Sequence, residues 1–152
     1  VFEAYGYSEI WIAETNPLRR KMLEDIGNMR AYDPRHGAMD KKQIDIIIDA
    51  VGSGVTRKVA SQLIHPGGTI VHIGLQDNEL GLDTRRLTLQ EIKFQGTYCY
   101  RNGDFAEALA LLSEDKISGR GWAEVRPLDD GAQSFVDIHE GNAPPKIILQ
   151  TL

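Results

Sequence analysis

Residues 44–54, IDIIIDAVGSG, predict the fold of this chain. The nearly all-apolar run at 44–50 is typical of a strand that is buried on both faces of a parallel sheet. A Gly-x-Gly turn follows it, and residues 55–63 have the apolar spacing of an amphipathic helix. After a turn at 65–68, HPGG, the run TIVHIGL at 69–75 predicts the next strand. This strand–helix–strand unit with short joints is typical of a right-handed βαβ crossover.

The alternation of strand and helix continues on both sides of this unit. Upstream, residues 8–14 predict a strand, and residues 17–26 predict a helix with Asn16 as its N-cap and Gly27 as its stop. A brief strand is predicted at 29–32. Downstream, the sequence predicts a loop at 76–86, strands at 92–98, 124–127 and 146–149, and helices at 104–112 and 131–139. The fold class is therefore α/β.

Length and composition indicate one ordinary globular domain. The chain has 152 residues, of which 41% are hydrophobic and 26% are charged, and a chain of this size can bury one core. No apolar run approaches the ~20 residues of a membrane span, so we expect a soluble protein. The net charge of −5 argues against a nucleic-acid partner. The single cysteine, Cys99, and the lack of a signal-peptide pattern favour the cytoplasm.

The glycine turn matches half of a phosphate-binding fingerprint. The full pattern, G-x-G-x-x-G between a strand and a helix, binds the pyrophosphate of a dinucleotide. Gly52 and Gly54 match its first half, but Arg57 occupies the third glycine position. In the alternative interpretation, the two glycines only let the chain leave the strand sharply and let the helix sit close. The sequence leaves both interpretations open.

An acid in a more suitable place lies upstream. In dinucleotide-binding folds, an acid about 20 residues after the fingerprint binds the adenosine ribose. Glu14 ends the first predicted strand, directly before the capped helix. Counting about 20 residues back from Glu14 passes beyond Val1, so we expect the phosphate loop to lie outside this chain. The alternative is that Glu14 is an ordinary exposed acid at a strand end.

The ordered series of motifs resembles one enzyme family. The runs IDIIIDAVGSG, LIHPGGTIVHIGL, LQEIKFQGTYCY, DFAEALALL and NAPPKIILQ resemble the C-terminal part of the zinc-type medium-chain alcohol and polyol dehydrogenases. The resemblance covers almost the whole chain. It implies that residues 1–152 form a partial dinucleotide-binding domain, a doubly wound, Rossmann-like parallel sheet without its first βα unit. Residues from about 97 to 152 would include the return segment toward a missing catalytic domain.

The resemblance also implies which residues contact the cofactor. Glu14 would bond the adenosine ribose, and Arg19 would lie beside that ribose or its substituent. Val51 and Gly52 would pass near the adenine-side ribose and the middle of the cofactor. The remaining contacts would be Ile73, Gly74 and Leu75 along the nicotinamide, Thr97 and Tyr98 near its end, and Lys146 at the pyrophosphate. The cofactor is expected to be NAD, although Arg19 and Arg20 leave room for NADP. For Lys146, a solvated cation is the alternative.

The zinc ligands of that family are not evident in this sequence. A catalytic zinc needs about three protein ligands, and the resemblance assigns them to the missing catalytic domain. Cys99 stands alone, and the four histidines show no ligand spacing such as i, i+4. We therefore predict no metal ligand and no catalytic residue in this chain. Hydride transfer, on a small alcohol or polyol, is expected only in the complete parent.

Further structural expectations concern the ends and edges of the chain. The segment 1–7, VFEAYGY, reads as the tail of a helix, so we expect the chain to begin within a fold; a removed initiator Met is the alternative. Loss of a central strand would expose two edges. The first predicted strand would then pair with the strand at 44–50 or with another chain. A homodimer through the strand near 91–98 is expected, because family members commonly pair edge to edge there.

Two other classes of protein remain open at this point. S-adenosylmethionine methyltransferases also have an acid after their second strand and often a PGG turn before a late strand. They carry a C-terminal β-hairpin where this sequence predicts a helix and a strand. The third possibility is a non-catalytic, dimeric Rossmann-like remnant, which the absence of a phosphate loop and zinc ligands favours for the isolated chain.

Overall fold

The computed structural model describes residues 1–26, 29–37, 44–119 and 121–151. Its contacts divide the chain into two compact units. One comprises Val1–Ala38 and Asn102–Leu152, and the other comprises Met39–Arg101. Each unit combines helices with strands whose ladders are all parallel. Within the described ranges, no helix has the length and apolar character needed to cross a membrane.

The first unit begins with two short strands joined by a helix. These are β1 (Trp11–Ala13), α1 (Pro17–Ile26) and β2 (Arg30–Tyr32). The predicted cap of α1 is confirmed, because the Oδ1 of Asn16 accepts a hydrogen bond from the backbone N–H of Arg19 at 3.2 Å. The helix therefore begins where a side chain satisfies one of its free donors.

The ladder of β1 runs with β2, from Trp11 opposite Arg30 to Ala13 opposite Tyr32. The strand at 44–50 forms its own ladder with the strand that follows it. Direct pairing of these two strands stays a prediction, because they belong to different units. Pairing of β1 with another chain stays a prediction, and the predicted helix stop, Gly27, lies outside the described residues.

The second unit is built on the stretch IDIIIDAVGSG. Its elements are β3 (Ile44–Asp49), α2 (Gly54–Leu63), β4 (Ile64–His72), α3 (Thr84–Leu89) and β5 (Lys93–Gly96). The three strands form one parallel sheet in the order β3-β4-β5. The predicted parallel strand–helix–strand unit of β3, α2 and β4 is confirmed.

The core of the second unit lies on one face of this sheet. It consists of the buried residues Ala60, Ile64, Ile70 and Ile92, with Ile47 and Leu87 packed against them. Burial of each isoleucine contributes about 1.5–3 kcal/mol. The expectation that β3 is buried on both faces is wrong, because Ile46 and Ile48 are each 38% exposed. The apolar run reflects a strand with one covered face and one exposed face.

The HPGG segment lies inside β4 and is not a turn between elements, which corrects the prediction. The ladder passes from Ile44 opposite Ile64 to Ile46 opposite Thr69. Four residues of β4, 65–68, therefore lie opposite one residue of β3. The backbone N–H of Gly67, at 2.8 Å from the carbonyl oxygen of Gln90, secures this bulge.

The predicted loop at 76–86 ends early, because α3 begins at Thr84. Asp83 caps this helix, since its Oδ1 accepts the backbone N–H of Arg86 at 2.9 Å. A helix of six residues is too short to show apolar periodicity. Asp83 was the local signal that could have revealed it.

The chain then completes the first unit with two helices and two strands. These are α4 (Asn102–Ser113), β6 (Ala123–Pro127), α5 (Gly131–Glu140) and β7 (Lys146–Gln150). They agree with the predicted elements to within two residues at each end. Because β6 and β7 pair in parallel, they are not the C-terminal β-hairpin that the methyltransferase alternative requires.

We expect the HPGG bulge to make folding stability depend on pH. The Nε2 of His65 lies 2.7 Å from the Oδ1 of Asp45, and its Nδ1 contacts the carbonyl oxygen of Pro66. The hydrogen bond with Asp45, and then that with Pro66, raises the pKa of His65 above its ordinary value of 6.5. A raised histidine pKa contributes stability that is fully present below pH about 6.5 and is lost as the pH rises through the folded-state value.

The measurement is the thermal unfolding midpoint, Tm, between pH about 5.5 and about 8.5. The Tm of the wild-type protein should fall as the pH rises, and His65→Gln should reduce that fall. His139→Gln replaces an exposed histidine on α5 and should retain the wild-type dependence. The same pH profile for His65→Gln and the wild type would contradict the prediction.

Candidate functional site

The carboxyl ends of β3, β4 and β5 lie at one edge of the second unit's sheet. In open α/β sheets, ligands bind in the crevice outside these strand ends. The loops that follow β3 and β4 touch there, because the backbone N–H of Gln76 donates to the carbonyl oxygen of Val51 at 3.1 Å. Thr97, which follows β5, donates its N–H to the carbonyl oxygen of His72 at 3.0 Å.

Two glycines allow these loops to approach so closely. Gly52 has a φ of +74°, and a Cβ atom on it would lie 1.9 Å from the carbonyl oxygen of Gly74. A Cβ atom on Gly74 would lie 2.1 Å from the carbonyl carbon of Val51. Real Cβ atoms do not tolerate such distances. The sharp exit of the chain from the strand therefore explains why position 52 is a glycine.

Asp49 organises this glycine turn through its side chain. The carboxylate is buried, with the residue 6% exposed. Its Oδ1 accepts the backbone N–H groups of Gly52 at 2.8 Å and Val51 at 3.2 Å. Its Oδ2 accepts the hydroxyl of Thr56 at 3.0 Å and lies 3.1 Å from the Nδ1 of His72. One carboxylate thus fixes the turn, the start of α2 and the end of β4.

The backbone of Asp49 fixes the second loop as well. Its carbonyl oxygen accepts the N–H groups of Ile73 and Gly74, each at 3.0 Å. Two of the segments that are predicted to face the cofactor, 51–52 and 73–74, therefore depend on one buried residue. Sequence reasoning had assigned no function to Asp49. The available signal was an acid at the end of an otherwise apolar strand.

Arg57 occupies the position of the fingerprint's third glycine, and it is 9% exposed. Its guanidinium donates to the carbonyl oxygen of Gly52 at 2.9 Å and to the Oδ1 of Asp77 at 2.8 Å. Partial burial alone would raise the pKa of Asp77, but hydrogen bonds from Glu79, Arg57 and Gly54 lower this pKa below its ordinary value. Arg57 therefore ties the turn to the loop after β4, which explains an arginine at this position.

Exposed apolar side chains flank the buried glycine pair. Val51 is 48% exposed, Ile73 is 45% exposed and Leu75 is 79% exposed. Tyr98, beyond β5, is also exposed. Apolar side chains beside a few fixed polar groups are the usual lining of a site for an aromatic ligand. This edge of the sheet has the chemistry to hold a flat ring.

In the first unit, Glu14 and Arg19 flank the cap of α1 at the carboxyl end of β1. The Oε1 of Glu14 accepts the backbone N–H of Asn16 at 2.8 Å, and Glu14 is half-buried. The Nε of Arg19 is buried and has no hydrogen-bond partner among the described residues. A buried donor left unpaired costs about 1–3 kcal/mol. The location therefore suits a ligand that brings oxygen atoms.

Lys146 stands apart from these residues in the sequence and begins β7. The residue is exposed, and it lines a shallow apolar depression together with Leu112, Ile117, Trp122 and Pro145. Its backbone N–H donates to the carbonyl oxygen of Trp122 at 3.2 Å. A contact of Lys146 with a pyrophosphate stays a prediction, as does the alternative of a solvated cation.

The structure thus gathers the predicted residues within each unit. Those of the second unit, at the sheet edge, are Val51, Gly52, Ile73, Gly74, Leu75 and Thr97, and those of the first unit, beside α1, are Glu14 and Arg19. In the part of the chain that the structure describes, no three His, Cys, Asp or Glu side chains form a group that could hold a metal ion. Cys99 is exposed.

These features define an α/β fold in which the loops after β3 and β4 meet at the carboxyl ends of the strands. The chain belongs to the zinc-binding dehydrogenase family, because the family model described as "Zinc-binding dehydrogenase" matches residues 1–114. The D-xylulose reductase of Saccharomyces cerevisiae is 28% identical over 103 residues, which cover 68% of this chain and 27% of that protein. The resemblance to zinc-type alcohol and polyol dehydrogenases is confirmed, and the methyltransferase alternative loses its support.

Solved structures share the fold over nearly the whole chain. A short chain alcohol dehydrogenase from E. coli, complexed with NADH, matches with a TM-score of 0.88 at 17% identity, covering 99% of this chain and 47% of that one. An oxidoreductase from Salmonella enterica, in complex with NADP, matches with a TM-score of 0.76 at 20% identity, covering 98% and 49%. The Rossmann-like α/β fold is thereby confirmed. This chain spans between about a quarter and a half of the length of these proteins.

Replacement of Gly52 by alanine should destabilise the second unit by on the order of 3 kcal/mol, because it adds backbone strain at positive φ to a clash with the Gly74 backbone. Urea unfolding followed by circular dichroism measures this loss. Gly103→Ala is the matched control, since a Cβ atom there meets nothing within 4 Å, and its effect should stay within about 1 kcal/mol. Equal stability of the two variants would refute the close-packing argument.

Proposed function

We propose that this chain supplies the nucleotide-binding part of an NAD-dependent, zinc-type alcohol or polyol dehydrogenase. In the complete protein, nicotinamide would exchange a hydride with the alcohol or carbonyl carbon, and zinc on the catalytic domain would polarise the oxygen. The residues of this chain would bind and orient the cofactor. The 152 residues alone would not catalyse hydride transfer.

The observation that carries this proposal is the joined pair of loops at the sheet edge. Ile73 and Gly74 have their N–H groups fixed on Asp49, while the side chains of Ile73 and Leu75 remain exposed. A nicotinamide ring needs an apolar surface and fixed backbone groups for its carboxamide. Thr97 would lie near the same end of the cofactor, and Val51 and Gly52 nearer its middle.

The adenosine end of the cofactor would be held in the first unit. Glu14 uses one carboxylate oxygen for the cap of α1, and its other oxygen would accept a ribose hydroxyl. The unpartnered Nε of Arg19 would find an acceptor on the same ligand, and Lys146 would contact the pyrophosphate. An acid at the ribose repels a 2′-phosphate, which favours NAD over NADP.

A second candidate function is a non-catalytic, dimeric binding module. The strand β5 lies at the edge of its sheet, and every residue of Lys93–Gly96 is exposed. An exposed edge strand offers a row of unpaired backbone groups to a second copy. We therefore propose a homodimer through the strand near 91–98. We also propose that the protein lies in the cytoplasm and has no nucleic-acid or membrane partner. Multi-angle light scattering of the 152-residue chain measures its mass in solution. A monomeric mass at all concentrations would contradict the proposed dimer.

Isothermal titration of the chain with 5′-AMP and with NAD tests the nucleotide site. 5′-AMP requires only the adenosine end, so it avoids any dependence on a phosphate loop. Glu14→Gln should weaken 5′-AMP binding about tenfold, because it removes a hydrogen bond to a charged group. Glu24→Gln removes the same charge from an exposed position on α1 and should leave the affinity unchanged. Folded wild-type protein that binds neither nucleotide would overturn the proposed function.

A further inference from the structure

Two arginines and one histidine surround Asp33, the residue directly after β2. Arg35 grips it at two points, with its Nε 3.0 Å from Oδ1 and its Nη2 2.7 Å from Oδ2. The Nη1 of Arg20 lies 3.2 Å from Oδ2, and the Nδ1 of His36 lies 3.3 Å from it. Only 10% of the Asp33 side chain is exposed. Two-point pairing of an arginine with a carboxylate is among the stronger hydrogen-bonded contacts in proteins.

Both arginines also hold the chain at the predicted ribose acid. The Nη1 of Arg20 donates to the backbone carbonyl oxygen of Glu14 at 2.7 Å. The Nη2 of Arg35 donates to the backbone carbonyl oxygen of Thr15 at 2.7 Å. Each guanidinium therefore joins Asp33 to the end of β1. The guanidinium groups of Arg20 and Arg35 are therefore positive charges close to Glu14, where a phosphate on the ribose would bind.

The ion pairs of Asp33 with the two arginines persist at neutral pH. The side-chain and backbone hydrogen bonds from Arg35 hold the pKa of Asp33 well below its usual range, with a further contribution from His36. The carboxylate is therefore ionised at neutral pH. An incoming phosphate would have to compete with a resident anion for the same two guanidinium groups.

We infer that Asp33 restricts the site to a dinucleotide without a 2′-phosphate, by holding the guanidinium groups of Arg20 and Arg35. The inference rests on the proposed function, which places the adenosine ribose at Glu14. Arginine is the side chain best suited to a 2′-phosphate, because its planar fork matches two phosphate oxygens. The sequence, with Arg19 and Arg20 near the ribose, leaves NADP possible; the structure commits Arg20 to Asp33 and so removes it from the ligand. Asp33 is a specificity-determining residue that acts through the arginines.

The test compares 5′-AMP with adenosine 2′,5′-bisphosphate by isothermal titration. Asp33→Asn keeps the shape of the side chain but removes its charge, so it releases the arginines. We expect the variant to bind the bisphosphate about tenfold more tightly relative to 5′-AMP than the wild type does. Asp129→Asn removes one negative charge from an exposed position in the first unit and should leave the ratio of affinities unchanged. An unchanged ratio for Asp33→Asn would overturn the inference.

Two arginine variants separate release of the arginines from a general change of charge. Asp33→Asn combined with Arg35→Gln should lose most of the gain, and a gain that survives the second substitution would count against the inference. In the wild-type background, Arg35→Gln should change the bisphosphate affinity by less than about twofold, because Arg35 is already engaged. A larger loss would show that Arg35 already binds the phosphate. Since the Arg35 side chain is 57% exposed, this variant tests the inference even if Asp33→Asn does not fold.

The outcomes also distinguish this inference from the proposed function. Binding of 5′-AMP by the wild type, with no change of preference in Asp33→Asn, would refute the role of Asp33 and leave the nucleotide site in place. Absence of binding of both nucleotides by the folded wild-type chain would refute the site and the inference together. Circular dichroism of each variant establishes that it is folded.

Discussion

The buried carboxylate of Asp49 is the constraint on which the second unit depends. A buried charge is tolerated only when hydrogen-bonding groups surround it. Here the N–H groups of Val51 and Gly52, the hydroxyl of Thr56 and the ring of His72 surround this carboxylate. Because these groups come from a turn, a helix and a neighbouring strand, the loops after β3 and β4 cannot shift independently. The buried Asp49 side chain therefore determines how these loops are arranged at the carboxyl ends of the strands.

The first unit uses an acid in a comparable way. Asp33 binds the side chains of two arginines, whereas Asp49 accepts hydrogen bonds from backbone N–H groups. Both carboxylates are largely buried. Electrostatic interactions are stronger in the protein interior than at the surface, because the local dielectric constant is lower. The groups that the proposed function assigns to a ligand are the apolar side chains of the second unit and, in the first unit, Glu14 with Arg19. Preorganisation of this kind separates the residues that shape a site from those that touch its ligand.

Much of the fold could be predicted from the sequence, because local signals were strong. The cap at Asn16 and the strand–turn–helix run through Gly52 follow from residue type and spacing alone. The helix α3 could not be found by periodicity, and the one-sided burial of β3 depends on which elements pack against it. The sequence indicated candidate residues for the site, but Asp49 and Asp33 act through contacts distant in sequence or across a turn. Such contacts have no sequence period and become visible only in three dimensions.

The bulge in β4 has a consequence for how the sheet can vary. The three extra residues lie near the amino end of the strand, before the register resumes at Thr69. From there the pairing is regular up to Asp49 opposite His72. A change of length in the HPGG segment would therefore alter the pairing only near the amino ends of β3 and β4. The carboxyl ends of the strands, where the candidate site lies, are separated from insertions and deletions at the amino ends.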